Sequence, residues 1–404
     1  MSAVTIEEAQ RQLLEAAEER MAWMGIEKVP LFDGLGRMLA DDLVSPIDQP
    51  PFPRSPIDGY ALRAEDLSEA SLEHPARLTV VGQVMAGEVA EARVLPGTAV
   101  RIMTGAPIPE GADCTIRQED TDCGEEEVRV YRPVKAHDNI CDQGEDFKTG
   151  DCLLKEGRKL DAVCLGIAAG MGYAFLPVYR KPKVALLTTG DEVVMPGEAL
   201  GPGKIYNSNL FVIGGRLKEL GIQPVLMKAV KDSPEEMKKE LEEAVACADL
   251  VVTTGGVSVG KKDIMHDALN LLGAKRLFWR IACKPGSPVI GSVYQGRVIV
   301  SLSGNPFGAV ANLELLVRPL LAKLGRDEGL VPILSEGIME SCFKKASPRR
   351  RFIRAVYEEG KVRLPEGLHS SGVLGSMIGC NCFIDIEAGN PGLMPGDRVK
   401  TVLL

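Results

Sequence analysis

Residues 5–21, TIEEAQRQLLEAAEERM, set Leu13, Leu14 and Ala17 on a helical stripe, and Thr5 with Glu8 fits a capping box. The pattern predicts an N-terminal helix. The stretch SPIDQPPFPRSPIDGYALR (45–63) then carries five prolines before Asp58, which excludes a regular helix. From about 78 to 155 the apolar positions come in short runs broken by Gly and Pro: RLTVVGQVMAG, TAVRIMTGAPIPEGAD, EVRVYRPV. This is the grammar of a β-rich segment. From 183 the period changes. KVALLTTGDE reads as a strand entering a loop, and NSNLFVIGGRLKELG (207–221) as a helix with a polar cap and Gly221 just past its end. IQPVLMKAVKDSPEEMKKELEEAVACADLVVTTGG gives strand, helix, strand, with Ser233, Pro234 and Glu236 as cap, first-turn proline and capping-box partner. DIMHDALNLLG is helical, RLFWRIA is extended, and RVIVSLSGNPFGAVANLELLVRPLLAKLG is a strand entering a helix. Strands alternating with helices predict a parallel, doubly wound α/β domain over about 180–325. Beyond it the chain returns to short strands and turns, so the fold class is α/β plus β-rich domains.

In an open α/β sheet ligands bind outside the carboxyl ends of the strands. Four loops leave strands at that edge: TTGDE (188–192), VKDSPEE (230–236), TTGGVSVGKKD (253–263) and LSGNP (302–306). Because parallel strands point one way, all four are expected at one rim. Gly255 and Gly256 let main-chain amides approach a ligand that a Cβ would block. Such amides, with helix N-termini, favour anions. Ser303, Gly304, Asn305 and Pro306 offer another such terminus, with Asn305 as N-cap and Pro306 at N1. Carboxylates beside an anion call for a bridging cation, and Glu192, Asp232 and Asp263 are the expected ligands of a hard ion such as Mg2+. Asp263 also fits as a plain N-cap of the helix after it. Arg280 and Lys284, in WRIACKPGSP, are the cations near this edge.

Composition narrows the classes. The 404 residues exceed one core and suggest two to four domains. A net charge of −9 disfavours nucleic-acid binding by bulk charge. The ten cysteines form no CxxC pair and read as reduced thiols of a cytoplasmic protein. No signal pattern opens the chain, and no apolar run approaches the ~20 residues of a membrane span. HExxH, GxSxG and GxxxxGK[ST] are absent, which removes support for zinc hydrolysis, serine esterase chemistry and P-loop nucleotide binding.

The segments PPFPRSPIDGYALR, RIMTGAPIPEGAD, TTGDE, IYNSN, TTGGVSVGKKD, KPGSP and LSGNP resemble, in order and over about 5 to 400, the motif series of the molybdopterin molybdenumtransferases. That family includes the bacterial MoeA enzymes and the E-domain of gephyrin. The resemblance implies Mg2+-dependent insertion of molybdate into adenylylated molybdopterin, with release of AMP and formation of molybdenum cofactor. It implies that Gly255, Gly256, Ser258 and Gly260 cradle the pterin end, and that Arg280 and Lys284 balance the diphosphate or oxyanion charge. It implies an elongated, L-shaped subunit: an N-terminal helix (1–26) packed on the central domain, an elongated linker domain (27–45 with 147–179), a β-rich domain (46–146), a MogA-like α/β domain (180–326) and a small β domain (327–404). A homodimer is implied, with the site formed between one subunit's α/β domain and the partner's β-rich domain. That arrangement would give Asp58 and Thr104 a role. Asp146 matches a further family carboxylate. The preceding adenylyltransferase and molybdoenzyme acceptors are the implied protein partners.

The departures concern the oxyanion. Relatives commonly show KPGKP where Ser287 stands here, a lysine where Arg280 stands, GNPVS where the chain has GNPFG, and a methionine at Ile57. The alternatives left open are a divergent paralogue acting on tungstate and a non-catalytic, gephyrin-like scaffold. The basic run SPRRRFIR (347–354) and Ser370 with Ser371 are candidates for compensating contacts.

Overall fold

A computed structural model of the protein describes residues 3–22, 24–258 and 264–404. The chain forms two compact units, Val29–Leu176 on one hand and Met1–Lys28 with Pro177–Leu404 on the other.

The Val29–Leu176 unit is built on a five-stranded sheet in the order Cys114–Arg117, Gly59–Leu62, Thr98–Ile102, Ala76–Val84, Glu127–Val130. Successive side chains point to opposite faces. Tyr60, Leu62, Ala99 and Ile116 therefore fill one core, while Ala61, Val100 and Ile102 fill another. Glycine is obligatory at 59, where a Cβ would lie 1.8 Å from the Ile116 carbonyl oxygen. The helix Ala162–Gly170, capped by the Asp161 side chain accepting from the Cys164 amide at 2.8 Å, is absent from the sequence reading. Its sequence, AVCLGIAAG, is apolar throughout and offers no periodic contrast.

The other unit contains the α/β domain. Its six-stranded sheet has the order Leu226–Val230, Val184–Thr189, Leu250–Thr254, Arg297–Leu302, Ile290–Tyr294, Lys275–Trp279. Leu186, Val252 and Val300 face one side, against helix Ser208–Glu219, the N-terminal helix Ile6–Met21 and the helices after Pro306. Leu187, Val251 and Ile299 face the other, against helices Pro234–Cys247 and Ile264–Leu272. The domain is doubly wound. Its first four strands pair in parallel; Ile290–Tyr294 runs against them, so the last two pairings are antiparallel. The cause is local. Tyr294 pairs with Arg297 across the two-residue turn Gln295–Gly296, both at positive φ (48° and 71°), and such a turn forces a hairpin.

The N-terminal helix is tied down at both ends. Thr5 Oγ1 accepts from the Glu8 amide at 3.1 Å. Near the other end Arg20 pairs with Asp249, which also receives Arg180 at 3.1 Å and the Lys183 amide at 2.8 Å. The Asp249 side chain is 1% exposed.

The C-terminal strands Arg350–Glu358, Lys361–Arg363, Ile333–Met339, Arg398–Leu403 and Cys382–Ile386 pair in that order, and Cys382–Ile386 pairs back with Arg350–Glu358, closing a small barrel. A sixth strand, Cys283–Lys284, joins from the α/β segment, parallel to Arg350–Glu358. Among the described residues no helix is long and apolar enough to cross a membrane.

Candidate functional site

The four predicted loops leave four adjacent parallel strands. Thr189 is level with Val230, Thr188 with Thr254, and Thr254 with Leu302. The strand ends form a single rim. From the loop after Thr189 to the loop after Leu302 it spans two strand spacings, about 10 Å.

At one end of the rim the carboxylates gather. Asp232 Oδ1 accepts from the Thr189 hydroxyl at 2.5 Å, and Oδ2 accepts from the Asp191 amide at 3.1 Å. Asp191 Oδ1 in turn accepts from the Asp232 amide at 3.2 Å. The residue facing Asp232 is thus Asp191, which sequence reasoning passed over in favour of its neighbour. The Glu192 carboxylate folds back toward Gly190, 3.0 Å from where a Cβ at that residue would stand, and Gly190 is at φ 153°. The 191–192 loop is fixed further by Lys204 Nζ, which donates to the Asp191 carbonyl at 2.5 Å, and by the pairing of Val193–Val194 with Ile205–Tyr206.

The glycine loop joins the middle of the rim. Gly255 (φ 101°) must lack a Cβ because one there would lie 2.3 Å from the Thr189 carbonyl oxygen. Its amide donates to the Leu302 carbonyl at 3.4 Å. This glycine is therefore dictated by the approach of two loops, a different reason from the ligand approach expected of it. Gly256 is at φ 62° and Ser258 is exposed. Gly260 and Asp263 lie outside the described residues.

Asn207 and Asn209, both in IYNSN, lock the rim, and sequence reasoning assigned neither a role beyond capping. Asn207 Oδ1 caps the following helix through the Leu210 amide at 3.0 Å, while its Nδ2 donates to Thr188 at 2.7 Å. Asn209 Nδ2 donates to both the Thr254 hydroxyl and the Gly304 carbonyl at 2.8 Å, so it joins the glycine loop to LSGNP. Two asparagines one residue apart at a helix start were the available signal.

The far end of the rim opens into a cavity of about 490 Å³. Lys284, Ser287, Ser303 and Asn305 line it from the α/β side. Lys345, Arg351, His369 and Ser371 line it from the C-terminal barrel. Ser303 Oγ accepts from the Asn305 amide at 3.3 Å, and Asn305 with Pro306 opens the helix Pro306–Asn312, although the Asn305 side chain makes no capping bond. Ser287 Oγ donates to the Ile281 carbonyl at 2.8 Å, so this side chain closes its own loop. Arg280 (φ 73°) is not in this wall; its guanidinium lies 4.4 Å from the centre of the Trp279 ring. Of the basic run, Arg351 reaches the cavity, Arg350 pairs with Asp385 and Glu7, and Arg354 is buried. A larger cavity, about 1130 Å³, lies between the N-terminal helix and the barrel; of the expected contacts only Arg350 and Phe352 of the basic run line it.

A hard cation suits the acidic end by chemistry: the donors are carboxylate oxygens, and each Asp232 oxygen accepts one hydrogen bond and retains a second acceptor position. Among the described residues no three His, Cys, Asp or Glu side chains group to hold a metal.

In the Val29–Leu176 unit, Asp58 and Thr104 meet. Asp58 Oδ1 accepts from both the Thr104 amide at 2.7 Å and its hydroxyl at 2.8 Å. The Thr104 amide, then its hydroxyl, holds the Asp58 carboxyl below its usual range. Thr104→Val keeps the amide and removes the hydroxyl, so the Asp58 titration followed by NMR is expected to move upward; an unchanged midpoint would count against this pairing. Asp146 is exposed, with its amide donated to the Gln49 carbonyl at 2.9 Å.

Three family descriptions match the chain in order. They are the MoeA N-terminal region (domain I and II) at residues 4–172, a probable molybdopterin binding domain at 185–323, and the MoeA C-terminal region (domain IV) at 336–404. A molybdopterin molybdenumtransferase of Bacillus subtilis (strain 168) is 35% identical over 99% of this chain and 94% of its own length. One from Staphylococcus epidermidis is 35% identical over 93% and 90%. Two crystal structures of MoeA molybdopterin biosynthesis proteins from Pyrococcus horikoshii share the fold. Their TM-scores are 0.83 and 0.78, at 34% and 32% identity, over 100% of this chain and 99% and 100% of theirs.

Proposed function

Because the chain belongs to the molybdopterin molybdenumtransferase (MoeA) family, we propose that its α/β rim inserts molybdate into adenylylated molybdopterin and releases AMP. The protein is a transferase of molybdenum cofactor biosynthesis. The observation that carries the finer reading is the polarity of one rim: carboxylates of Asp191 and Asp232 at one end, the Lys284–Ser303 cavity at the other, and a glycine-rich turn between.

Each part has a task. Asp191 and Asp232, with Glu192 and Asp263 as further candidates, would hold Mg2+, which neutralises diphosphate charge when bound. The Thr189 hydroxyl and the Asp191 amide fix the Asp232 carboxylate so that it need not reorganise during reaction. Gly256, Ser258 and Gly304 would give the pterin diphosphate a main-chain bed between the two ends, with Gly255 shaping the turn and Gly260 a further candidate by sequence alone. Lys284, Ser303 and Asn305 accept the oxyanion, with Lys345 and Arg351 adding positive charge from the barrel. Water breaking the diphosphate link would leave a phosphate monoester on the pterin and release AMP, and the two dithiolene sulfurs would then replace two oxo groups of the oxyanion, which leave as water with the thiol protons and protons from solvent. Arg280 belongs to the outer field of this site rather than to its wall. A homodimer is part of the proposal, with Asp58 and Thr104 supplied by a second copy as the family resemblance implies; sedimentation that gives only a monomer would remove them from it.

The direct test mixes the protein with adenylylated molybdopterin, Mg2+ and molybdate and measures AMP. Folded protein that releases no molybdate-dependent AMP would refute the reading. Lys284→Ala is expected to weaken tungstate binding about 10- to 100-fold, the usual loss of a charged hydrogen bond, with little change in melting temperature. Calorimetry reads this directly, and unchanged affinity would move the oxyanion site elsewhere.

A further inference from the structure

His369 stands in the loop between the barrel strands Lys361–Arg363 and Cys382–Ile386 and lines the Lys284 cavity from that side. Its backbone is held on both flanks. The Leu368 carbonyl accepts from the Ser376 hydroxyl at 2.8 Å, and the Ser370 carbonyl accepts from Arg354 Nη2 at 2.6 Å. The next carbonyl, that of Ser371, accepts from the Phe307 amide at 3.0 Å, which ties the loop to the start of the helix Pro306–Asn312. The imidazole is thus delivered to a fixed place. It is half-buried, and its Nδ1 is buried without a hydrogen-bond partner among the described residues.

The charges around the ring share one sign. Lys284, Lys345 and Arg351 line the same cavity, Arg354 holds the loop from the strand Arg350–Glu358, and no Asp or Glu is among the lining residues described. Burial first, then Arg354 and, more weakly, Lys345 push the imidazole down from its ordinary value, and the Pro365 backbone opposes them only in part. Without an anion the ring is therefore neutral at pH 7. A bound dianion reverses the field, because a nearby negative charge favours the protonated form. That proton would lie beside oxygens that must leave as water if a dithiolene is to take their places. His369 is the only histidine in the lining, and histidine is the side chain suited to carry a proton near neutrality.

We infer that His369 is the proton carrier of the Lys284 cavity: it takes up one proton as the dianion enters and passes it to an oxo oxygen that leaves as water. The inference rests on the oxyanion reading of that cavity. The proton turns the oxo group into a hydroxo group. A dithiolene thiol adds its own proton, water departs, and the sulfur takes the vacated position. The metal keeps its oxidation state, and solvent reprotonates the ring.

The test is calorimetry with tungstate on the full chain, in pairs of buffers of different ionisation enthalpy, which counts protons taken up on binding. Wild-type protein is expected to take up about half a proton or more per ion at about pH 6.5. The complex has the higher pKa, so affinity is greatest below the free value and declines as pH rises through the bound one. The decline expected between about pH 6 and about pH 8.5 is five- to tenfold. His369→Gln keeps a polar side chain but cannot carry a proton. It should bind tungstate with no uptake and a flat pH profile. At about pH 8.5, where both proteins bind alike, it should form molybdenum cofactor about 10²-fold more slowly, the scale of a lost proton donor. His369→Asn serves the same purpose if the glutamine variant does not fold. Proton uptake that persists in the variant, or tungstate binding by wild type with no uptake, would overturn the inference and leave the cavity reading intact. Unchanged cofactor formation in the variant would also overturn it. Wild-type protein that binds no tungstate would overturn the cavity reading and the inference together.

Discussion

Asp232→Asn is expected to lower molybdate-dependent AMP release by about 10²- to 10³-fold, the scale seen when one preorganised electrostatic group is removed from an active site. The substitution is gentle to the fold. An asparagine at 232 can turn its carbonyl oxygen to the Asp191 amide and its NH2 to the Thr189 oxygen, which keeps both contacts of the aspartate. What goes is one negative charge and the hard-oxygen pair offered to a cation. The melting temperature should stay within a few degrees of wild type, as for a half-buried position whose hydrogen bonds persist. Steady-state AMP release with and without added Mg2+ checks it. A rate within about threefold of wild type, in a folded variant, would remove Asp232 from the metal assignment; the factor is far below any loss of a needed charge.

Asp249→Ala is expected to destabilise the unit containing the N-terminal helix by about 3 kcal/mol, the lower end for breaking a buried ion pair. The carboxylate is 1% exposed and serves two guanidiniums and the Lys183 amide at once. Removing it leaves Arg20 and Arg180 beside one another without the counter-charge they share. The effect is less than for a fully buried pair because both arginines keep some solvent, at 19% and 24% exposure. The same carboxylate gives a pH dependence of definite sign. Burial alone would raise its pKa, but the hydrogen bonds from Arg180, the Lys183 amide and Arg20 outweigh it, and the net shift is downward. A carboxyl with a lowered folded-state pKa contributes stability that is present above its unfolded value, about 3.9, and is lost as pH falls through the folded value. Denaturant melts of wild type and Asp249→Ala should therefore differ at neutral pH and converge in strong acid. Parallel curves down to low pH would show that Asp249 carries no such linkage.

The architecture of the rim was legible because it depends on local rules. Strand-to-loop transitions at 189, 230, 254 and 302 follow from apolar runs that meet Gly, Asp or Asn. Caps at Asn207 and Ser233 follow from residue type alone. Two kinds of feature were not legible. One is rotation within a loop. Asp191 and Glu192 are adjacent acids of equal sequence merit, and only the positive φ at Gly190 decides which faces Asp232. The hairpin at Gln295–Gly296 belongs with it, since a two-residue turn sets beside Arg297–Leu302 an antiparallel strand, Ile290–Tyr294, that is absent from the sequence reading. The other is contact across long chain separations. Lys284, Ser303, Arg351 and Ser371 share a cavity although the last stands 87 residues beyond the first (371 less 284). No hydrophobic period announces such a meeting, although the run 347–354 and Ser371 already stood out as candidate contacts from the C-terminal segment.

The two-residue strand Cys283–Lys284 is paired with Arg350 and Arg351 of the barrel, although it belongs by chain position to the α/β segment. A protein cut between residues 326 and 327 would strand that short ladder with an open edge and take away the floor on which the Lys284 ammonium is aimed. Grafting the α/β segment into another enzyme would meet the same obstacle. The seam that looks natural for shuffling modules runs through the wall of the Lys284 cavity, so the two pieces are expected to be inherited, and transplanted, as one cassette.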